Sequence, residues 1–333
     1  MNPMDNFKDR IAVVTGGGTG MGRELCLQLV SEGCAIATCD VMMDNLEETL
    51  RLCLQADPGA KVTLHLCDVS SEVDMNRFRD EVIEAHGDQI HLLFNNAGIG
   101  GGGSFLNEAD RIDWERTFNV CWYGVYYGCR AFVPMMISSD EGHIINTSSI
   151  NGFWASLGPN TAHSAYSAAK FAVKGFSEAL ITDLRMNAPH IRVSVVMPGH
   201  IGTSIAINSG KVLGRPDALD MTEDDVREIR ERMMNAGGEM SEMVMNLSDD
   251  QIKAVVHQRG QDFRDKAPTT AAQATTLILD GVKAGRWRIL VGDDAVRLDE
   301  RVRKDPENAY ELSFIASTRE AGDLVELIGT TEQ

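Results

Sequence analysis

The chain has 333 residues, of which 43% are hydrophobic and 24% charged, enough apolar material for one large core. Its formal net charge of −18 argues against nucleic acid or an anionic membrane surface as partner. No apolar run approaches the roughly 20 residues that cross a bilayer, and the polar start MNPMDNFKDR lacks a signal-peptide core.

The first predicted strand, IAVVT at 11–15, runs straight into a glycine-rich stretch, TGGGTGMG at 15–22, and then an amphipathic helix at 21–32. Gly16, Gly20 and Gly22, with Thr19 and Met21 between them, let the backbone turn sharply and approach a pyrophosphate. The helix N-terminus favours its charge. The second strand, AIATCD at 35–40, ends on Asp40, a carboxylate placed to accept hydrogen bonds from both ribose hydroxyls of an adenosine. It would repel a 2′-phosphate, and no Lys or Arg occupies positions 16–22 to offset that, so NAD is favoured over NADP. A solvated strand-end aspartate is the plain alternative.

Helix, strand, helix and strand follow at 44–55, 61–68, 72–86 and 91–96. A glycine run at 100–103 reads as a flexible loop near a site mouth. A long helix at 112–137 and a strand at 143–149 precede a helix at 163–186. There Tyr166 and Lys170 stand four positions apart, one above the other on a helical face. A lysine cation beside a phenol lowers its pKa from about 10 toward working pH, making it usable as a proton donor and acceptor. A chance pair on a solvated face is the alternative. A strand at 191–198, a helix at 269–284 and a strand at 286–292 complete the series. This alternation predicts an α/β protein, a parallel sheet covered on both faces.

All seven cysteines precede residue 130 without CxxC pairing or framework spacing, which predicts reduced thiols in the cytoplasm. No His/Cys grouping has zinc-ligand spacing, so no metal is expected.

These motifs in this order resemble the short-chain dehydrogenase/reductase family, over about 7–210 and again over 269–295. Thr15-Gly16, Gly20 and Gly22 match its TGxxxGxG element. Asp68-Val69 matches the pair that holds adenine, and Asn95-Asn96-Ala97-Gly98 matches NNAG. Pro198-Gly199, Ile201 and Thr203 match the PGxxxT stretch that holds the nicotinamide carboxamide. Ser149, Tyr166 and Lys170 match the catalytic set. The resemblance implies a Rossmann-like, doubly wound single domain over 1–295. A helical substrate lid at 200–268 would interrupt it, and a C-terminal extension at 296–333 would follow. It implies hydride exchange between NAD and an alcohol or ketone. In this chemistry Tyr166 is the acid/base, Ser149 holds the substrate oxygen, and Lys170 keeps the phenolate accessible and binds the nicotinamide ribose. It also implies a homodimer or homotetramer built on the two long helices, where Gly124, Tyr127, Gly128 and Ala131 fit close packing; burial within one subunit would look the same.

Two features depart from the family pattern. Ser149 and Tyr166 are 17 positions apart, a longer interval than usual. Its extra residues are expected to reshape the substrate wall, with Phe153, Trp154 and Leu157 as apolar candidates and His163 as a structural helix-start residue. The family's fourth site residue, an asparagine on the long helix, aligns with Cys121; a local shift would bring Asn119 inward instead. In the lid, Met233, Met240, Met243 and Met245 are expected to adapt to an apolar substrate, against ordinary helix packing. The expected substrate is a bulky, apolar secondary alcohol or ketone, steroid-like, terpenoid or aryl. An epimerase or dehydratase on the same fold, and a silent nucleotide-binding sensor or scaffold, are the competing readings.

Overall fold

A computed structural model describes residues 4–158, 161–235 and 246–322. Its first half lays down β1 (Ile11–Thr15), α1 (Gly20–Ser31), β2 (Ala35–Asp40), α2 (Met43–Ala56), β3 (Val62–Leu66), α3 (Glu72–His86) and β4 (Leu92–Asn95). There follow α4 (Arg111–Phe118), α5 (Gly124–Ile137), β5 (Gly142–Thr147), α6 (Ser164–Asn187) and β6 (Ile191–Pro198). Beyond them come the short β7 (Ile201–Gly202) and β8 (Thr269–Thr270), which pair with each other, and β9 (Arg288–Val291).

Seven strands form one parallel sheet in the order β3-β2-β1-β4-β5-β6-β9, the Rossmann-like arrangement. Successive side chains of a strand point to opposite faces. Val13 and Leu93 therefore enter one core with Phe78, Phe132 and Leu184. Their neighbours Val14 and Phe94 enter the other, with Leu25, Leu29 and Ile278. Burial of each such side chain contributes about 1.5–3 kcal/mol, which is why these strands read as apolar runs. After β3 the chain crosses to the far side of β1, so β1 and β4 are neighbours whose following loops diverge. A crevice opens there, at the carboxyl ends of the strands.

The long helix expected at 112–137 is broken by a π-helical turn, Asn119–Tyr123, which shifts its register midway. Two of its glycines serve the subunit interior. A Cβ on Gly128 would lie 2.1 Å from Asn95 Oδ1, and one on Gly124 would lie 2.8 Å from Val69. With Ala131 also buried, these positions pack the helix onto its own sheet, contrary to the interface expected from small residues. The rings that α5 and α6 leave exposed include Tyr126 and Phe171.

The interval before β8 folds into helices Ile205–Val212, Glu223–Asn235 and Asp249–Asp265. The last begins with a capping box, Ser248 and Gln251 exchanging side-chain and backbone hydrogen bonds. Met221, Val226 and Ile252 form a small core of their own, with Met233 packed against it rather than offered to a ligand. Met240, Met243 and Met245 lie outside the described residues.

Helices Asp293–Lys304 and Leu312–Glu320 end the described chain. They cover the Ser149–Tyr166 insertion from outside, which overturns part of the substrate-wall expectation. Trp154 is fully buried among Ile150, Leu298, Ala309 and Ile315, with Phe153 packed at the edge of the same cluster. The Trp154 indole donates to the Ala309 carbonyl at 2.7 Å, and the Ala155 amide donates to the Tyr310 hydroxyl at 3.0 Å. Both aromatics hold the C-terminal extension instead of facing substrate, because a tail that sequence separates from them by 155 positions arrives to cover them.

All seven cysteines are free and buried. Burial pushes the Cys26 and Cys129 thiols up to about 12, far from reactive. Among the described residues no helix is long and apolar enough to cross a membrane.

Candidate active site

The crevice between β1 and β4 becomes a groove lined by Gly16, Gly20, Met21, Asp40, Asp68 and Thr203. Thr19, Val69, Asn96, Ala97 and Gly98 face the same groove. Thr15 ties its two sides: its Oγ1 accepts from the amides of Asn96 at 3.0 Å and Ala97 at 3.1 Å. The loop conformation demands glycine. Gly16 and Gly20 have φ of +69° and +55°, in the left-handed region that side chains disfavour. At Gly22, whose conformation is ordinary, the reason is space: a Cβ would sit 2.0 Å from the Gly16 carbonyl oxygen, so Gly22 lets α1 pack under the loop. No acidic residue occupies the first turn of α1. That open helix N-terminus fits the pyrophosphate of a dinucleotide.

Asp40 closes one end of the groove. Its carboxylate accepts from the amides of Gly18 at 3.0 Å and Met42 at 3.1 Å. Burial nevertheless raises its pKa, the backbone donors opposing this. Arg23, one residue beyond the glycine-rich stretch, is occupied by the Gly18 carbonyl, the Asn45 carbonyl at 3.1 Å and Thr49 Oγ1 at 3.0 Å. Asp68 pairs with Arg116 at 2.7 Å and accepts from the Ser70 hydroxyl at 2.7 Å. Burial acts to raise its pKa, and these partners overcome that and hold it low.

Sequence reasoning missed several groove residues, Val41, Met42, Ile99, Arg116 and Asn208 among them. The Asn208 amide donates to Thr19 Oγ1 at 3.0 Å, so helix Ile205–Val212 touches the glycine loop. Nothing in the sequence pairs two residues 189 positions apart.

A second cavity of about 820 Å³ lies beyond the groove, and Ile205 belongs to both walls. Ser149, Tyr166 and Gly199 line it. Pro198 ends β6 behind them, and Ile201 is buried in the core, so neither faces the groove or the cavity. Ser149 caps a short 3₁₀ turn, accepting from the Asn151 amide at 3.1 Å. Lys170 is buried beneath the site and donates to the Thr147 carbonyl at 2.9 Å. Its Nζ is 5.3 Å from the centre of the Tyr166 ring. The glycines at 100–103 are anchored: the Gly100 amide donates to Ser209 Oγ at 2.8 Å, and a Cβ on Gly102 would meet Ala165 at 2.4 Å.

The phenol corrects the simplest expectation. Burial raises the Tyr166 pKa, and Cys121 adds to this. Lys170 and the Ser149 hydroxyl act in the lowering sense without overcoming it. One lysine does not offset the desolvation of a phenolate in this pocket. His163 also lines the cavity, its ring centre 4.7 Å from that of Tyr166, and burial pushes its pKa down to about 4, so it is neutral. Cys121 sits in the π turn, fully buried, and its thiol donates to the Ile99 carbonyl at 3.3 Å. A Cβ on Gly98 would lie 3.5 Å from Lys170 Nζ and 3.8 Å from Cys121 Sγ, so both side chains border the space next to Gly98.

The sequence profile described as short chain dehydrogenase matches residues 10–212. The chain belongs to the short-chain dehydrogenase/reductase family and is an oxidoreductase. It is 39% identical over 206 residues to the putative oxidoreductase SadH of Mycobacterium tuberculosis, covering 62% of this chain and 72% of that protein. The crystal structure of a short-chain dehydrogenase/reductase from Burkholderia phymatum in complex with NAD superposes with a TM-score of 0.71. The identity is 28%, over 91% of this chain and 96% of the other. A metagenomic short-chain oxidoreductase in complex with NADP gives a TM-score of 0.51 at 32% identity, over 58% of this chain and 83% of its own.

Proposed function

We propose that this protein moves hydride between NAD(H) and a bulky, largely apolar secondary alcohol or ketone. The observation that carries this reading is the cavity of about 820 Å³, which has Ser149 and Tyr166 in its wall and shares Ile205 with the glycine-lined groove. That volume lies in the upper part of the range for ligand pockets. Much of its wall is apolar, including Ile150, Leu157, Leu213, Met221, Ile229 and Phe263.

The groove fits a dinucleotide: its loop needs glycine at three points, its helix N-terminus is free of acid, and a carboxylate stands at its far end. When bound, the nicotinamide exchanges hydride at its C4 and, oxidised, adds a positive charge that favours the phenolate. The chain's own residues supply position and a proton route. Ser149 Oγ hydrogen-bonds the substrate oxygen. Tyr166, a phenol protonated at neutral pH, donates its proton to a carbonyl oxygen, and burial, which raises its pKa, acts in the same sense; in the reverse direction its phenolate accepts the alcohol proton. Lys170, fixed by Thr147, biases the phenol toward ionisation. Asp40 accepts from the adenosine ribose and disfavours a 2′-phosphate, which supports NAD over NADP.

The exposed Tyr123 of the π turn, Tyr126 of α5 and Phe171 of α6 support a homodimer or homotetramer. A monomer at micromolar concentration in sedimentation would remove that part. The functional reading is tested by a panel of bulky secondary alcohols and ketones with both cofactors. Turnover with NAD⁺ at least tenfold more efficient than with NADP⁺ is expected, and Asp40→Ser should narrow the gap. Cofactor binding without turnover across the panel would remove the reading.

A further inference from the structure

The catalytic end of the cavity provides for one substrate oxygen, held between Ser149 and Tyr166. The lid contributes hydrogen-bonding groups that this chemistry leaves unused. Helix Asp249–Asp265 presents His257 and Gln261, one helical turn apart, to the same cavity. Between them Gly260 brings the helix against its neighbour: a Cβ there would lie 2.9 Å from Ile207. The 3₁₀ turn Ala218–Asp220, packed on that helix, adds Asp220 to the lining.

The partners of these side chains set them apart. Arg215 and Asp217 also line the cavity, but each is neutralised within the chain, by Asp113 and by Lys211. Among the described residues the His257 imidazole and the Asp220 carboxylate make no hydrogen bond through their side chains. Gln261 accepts from Arg264 through its Oε1, while its amide N–H groups find no acceptor among the described residues. A donor, an acceptor and a group able to act as either thus stand in a mostly apolar wall. A substrate with a single oxygen displaces water from the half-buried His257 and Gln261 without replacing its hydrogen bonds, at a cost that a hydrogen-bonding substrate avoids. Asp220, by contrast, is exposed and acts through its charge.

We propose that the lid of this enzyme carries a second recognition site, formed by His257, Gln261 and Asp220. It selects substrates with a second neutral oxygen function remote from the reacting carbon. The substrate class is accordingly a bulky diol, hydroxyketone or diketone, in place of a simple apolar alcohol. Asp220 disfavours a carboxylate or phosphate in that position. The inference rests on the alcohol and ketone reading given above and narrows it.

The test uses fused-ring secondary alcohols in matched pairs: a monoalcohol, and diols of the same skeleton with the second hydroxyl toward the opposite end. Wild-type enzyme is expected to favour at least one diol by about tenfold or more in kcat/KM. In the double variant His257→Phe, Gln261→Met, folded by circular dichroism, that preference should shrink to about twofold while monoalcohol turnover is retained. If the wild-type enzyme treats all pairs alike, or the preference survives in the double variant, the second site is overturned and the alcohol reading stands. If neither member of any pair is oxidised although both bind, the alcohol reading fails and takes this inference with it.

Discussion

Replacing Trp154 with phenylalanine isolates the contact that joins the C-terminal extension to the active-site insertion. The indole is fully buried, and its N–H donates to an Ala309 carbonyl on a residue that is itself buried. Phenylalanine leaves that carbonyl without a donor, at about 1–3 kcal/mol. The smaller ring also leaves a void of roughly 40 Å³, which at about 24 cal/mol per Å³ adds about 1 kcal/mol. The sum is about 2–4 kcal/mol of lost stability. Urea unfolding followed by circular dichroism would read it as a lower midpoint at unchanged slope. Because Ile150, next to Ser149, shares the cluster, a loss of turnover should accompany it. A loss of stability under about 0.5 kcal/mol would refute the reasoning, since a buried carbonyl cannot lose its donor so cheaply without water reaching it.

Other expectations follow from the same geometry. Cys121→Asn should leave activity intact or raise it, because the Cys121 and Lys170 side chains both border the space next to Gly98 and the thiol makes only a weak bond to Ile99. A hundredfold loss in folded protein would contradict that placement. Acid should destabilise the fold early. His143, His163 and His86 are held neutral by burial, with pKa values pushed down to about 3, 4 and 4, so between about pH 6.5 and 4 the unfolded chain binds more protons than the folded one. The stability they confer is therefore complete above about pH 6.5 and lost as pH falls toward 4. His143→Asn should flatten that slope, and a pH-independent unfolding midpoint from 6.5 to 4.5 would exclude the effect.

The legible parts of this chain were those in which one residue carries its own reason. Gly16 and Gly20 advertise a backbone that only glycine adopts readily. Asp40 ends a strand whose alternation is visible, and Tyr166 and Lys170 share a helical face by spacing alone. What stayed hidden depended on which remote segment arrives. Trp154 looked like a pocket wall because nothing local says that residue 309 covers it. Gly124 and Gly128 looked like an interface because small residues suit any close contact, and Val69 and Asn95 proved to be the neighbours. The shifted register of the π turn at Cys121 has no local signature. For Tyr166 the sign of lysine's influence was readable, but burial, the larger effect, is a property of the assembled pocket. The lid's polar groups were likewise invisible until its helices were placed around one cavity.

The account stands most directly on the proton carried by the Tyr166 hydroxyl. The deciding measurement is the initial rate of NADH formation from the best alcohol of the panel, for the wild type and for Tyr166→Phe at saturating NAD⁺. Cofactor affinity is measured separately. The predicted result is a loss of about 10²–10⁴-fold in kcat with NAD⁺ binding retained. A Tyr166→Phe enzyme that binds NAD⁺ normally and works within about tenfold of the wild type would contradict the assignment of this tyrosine as the acid and base.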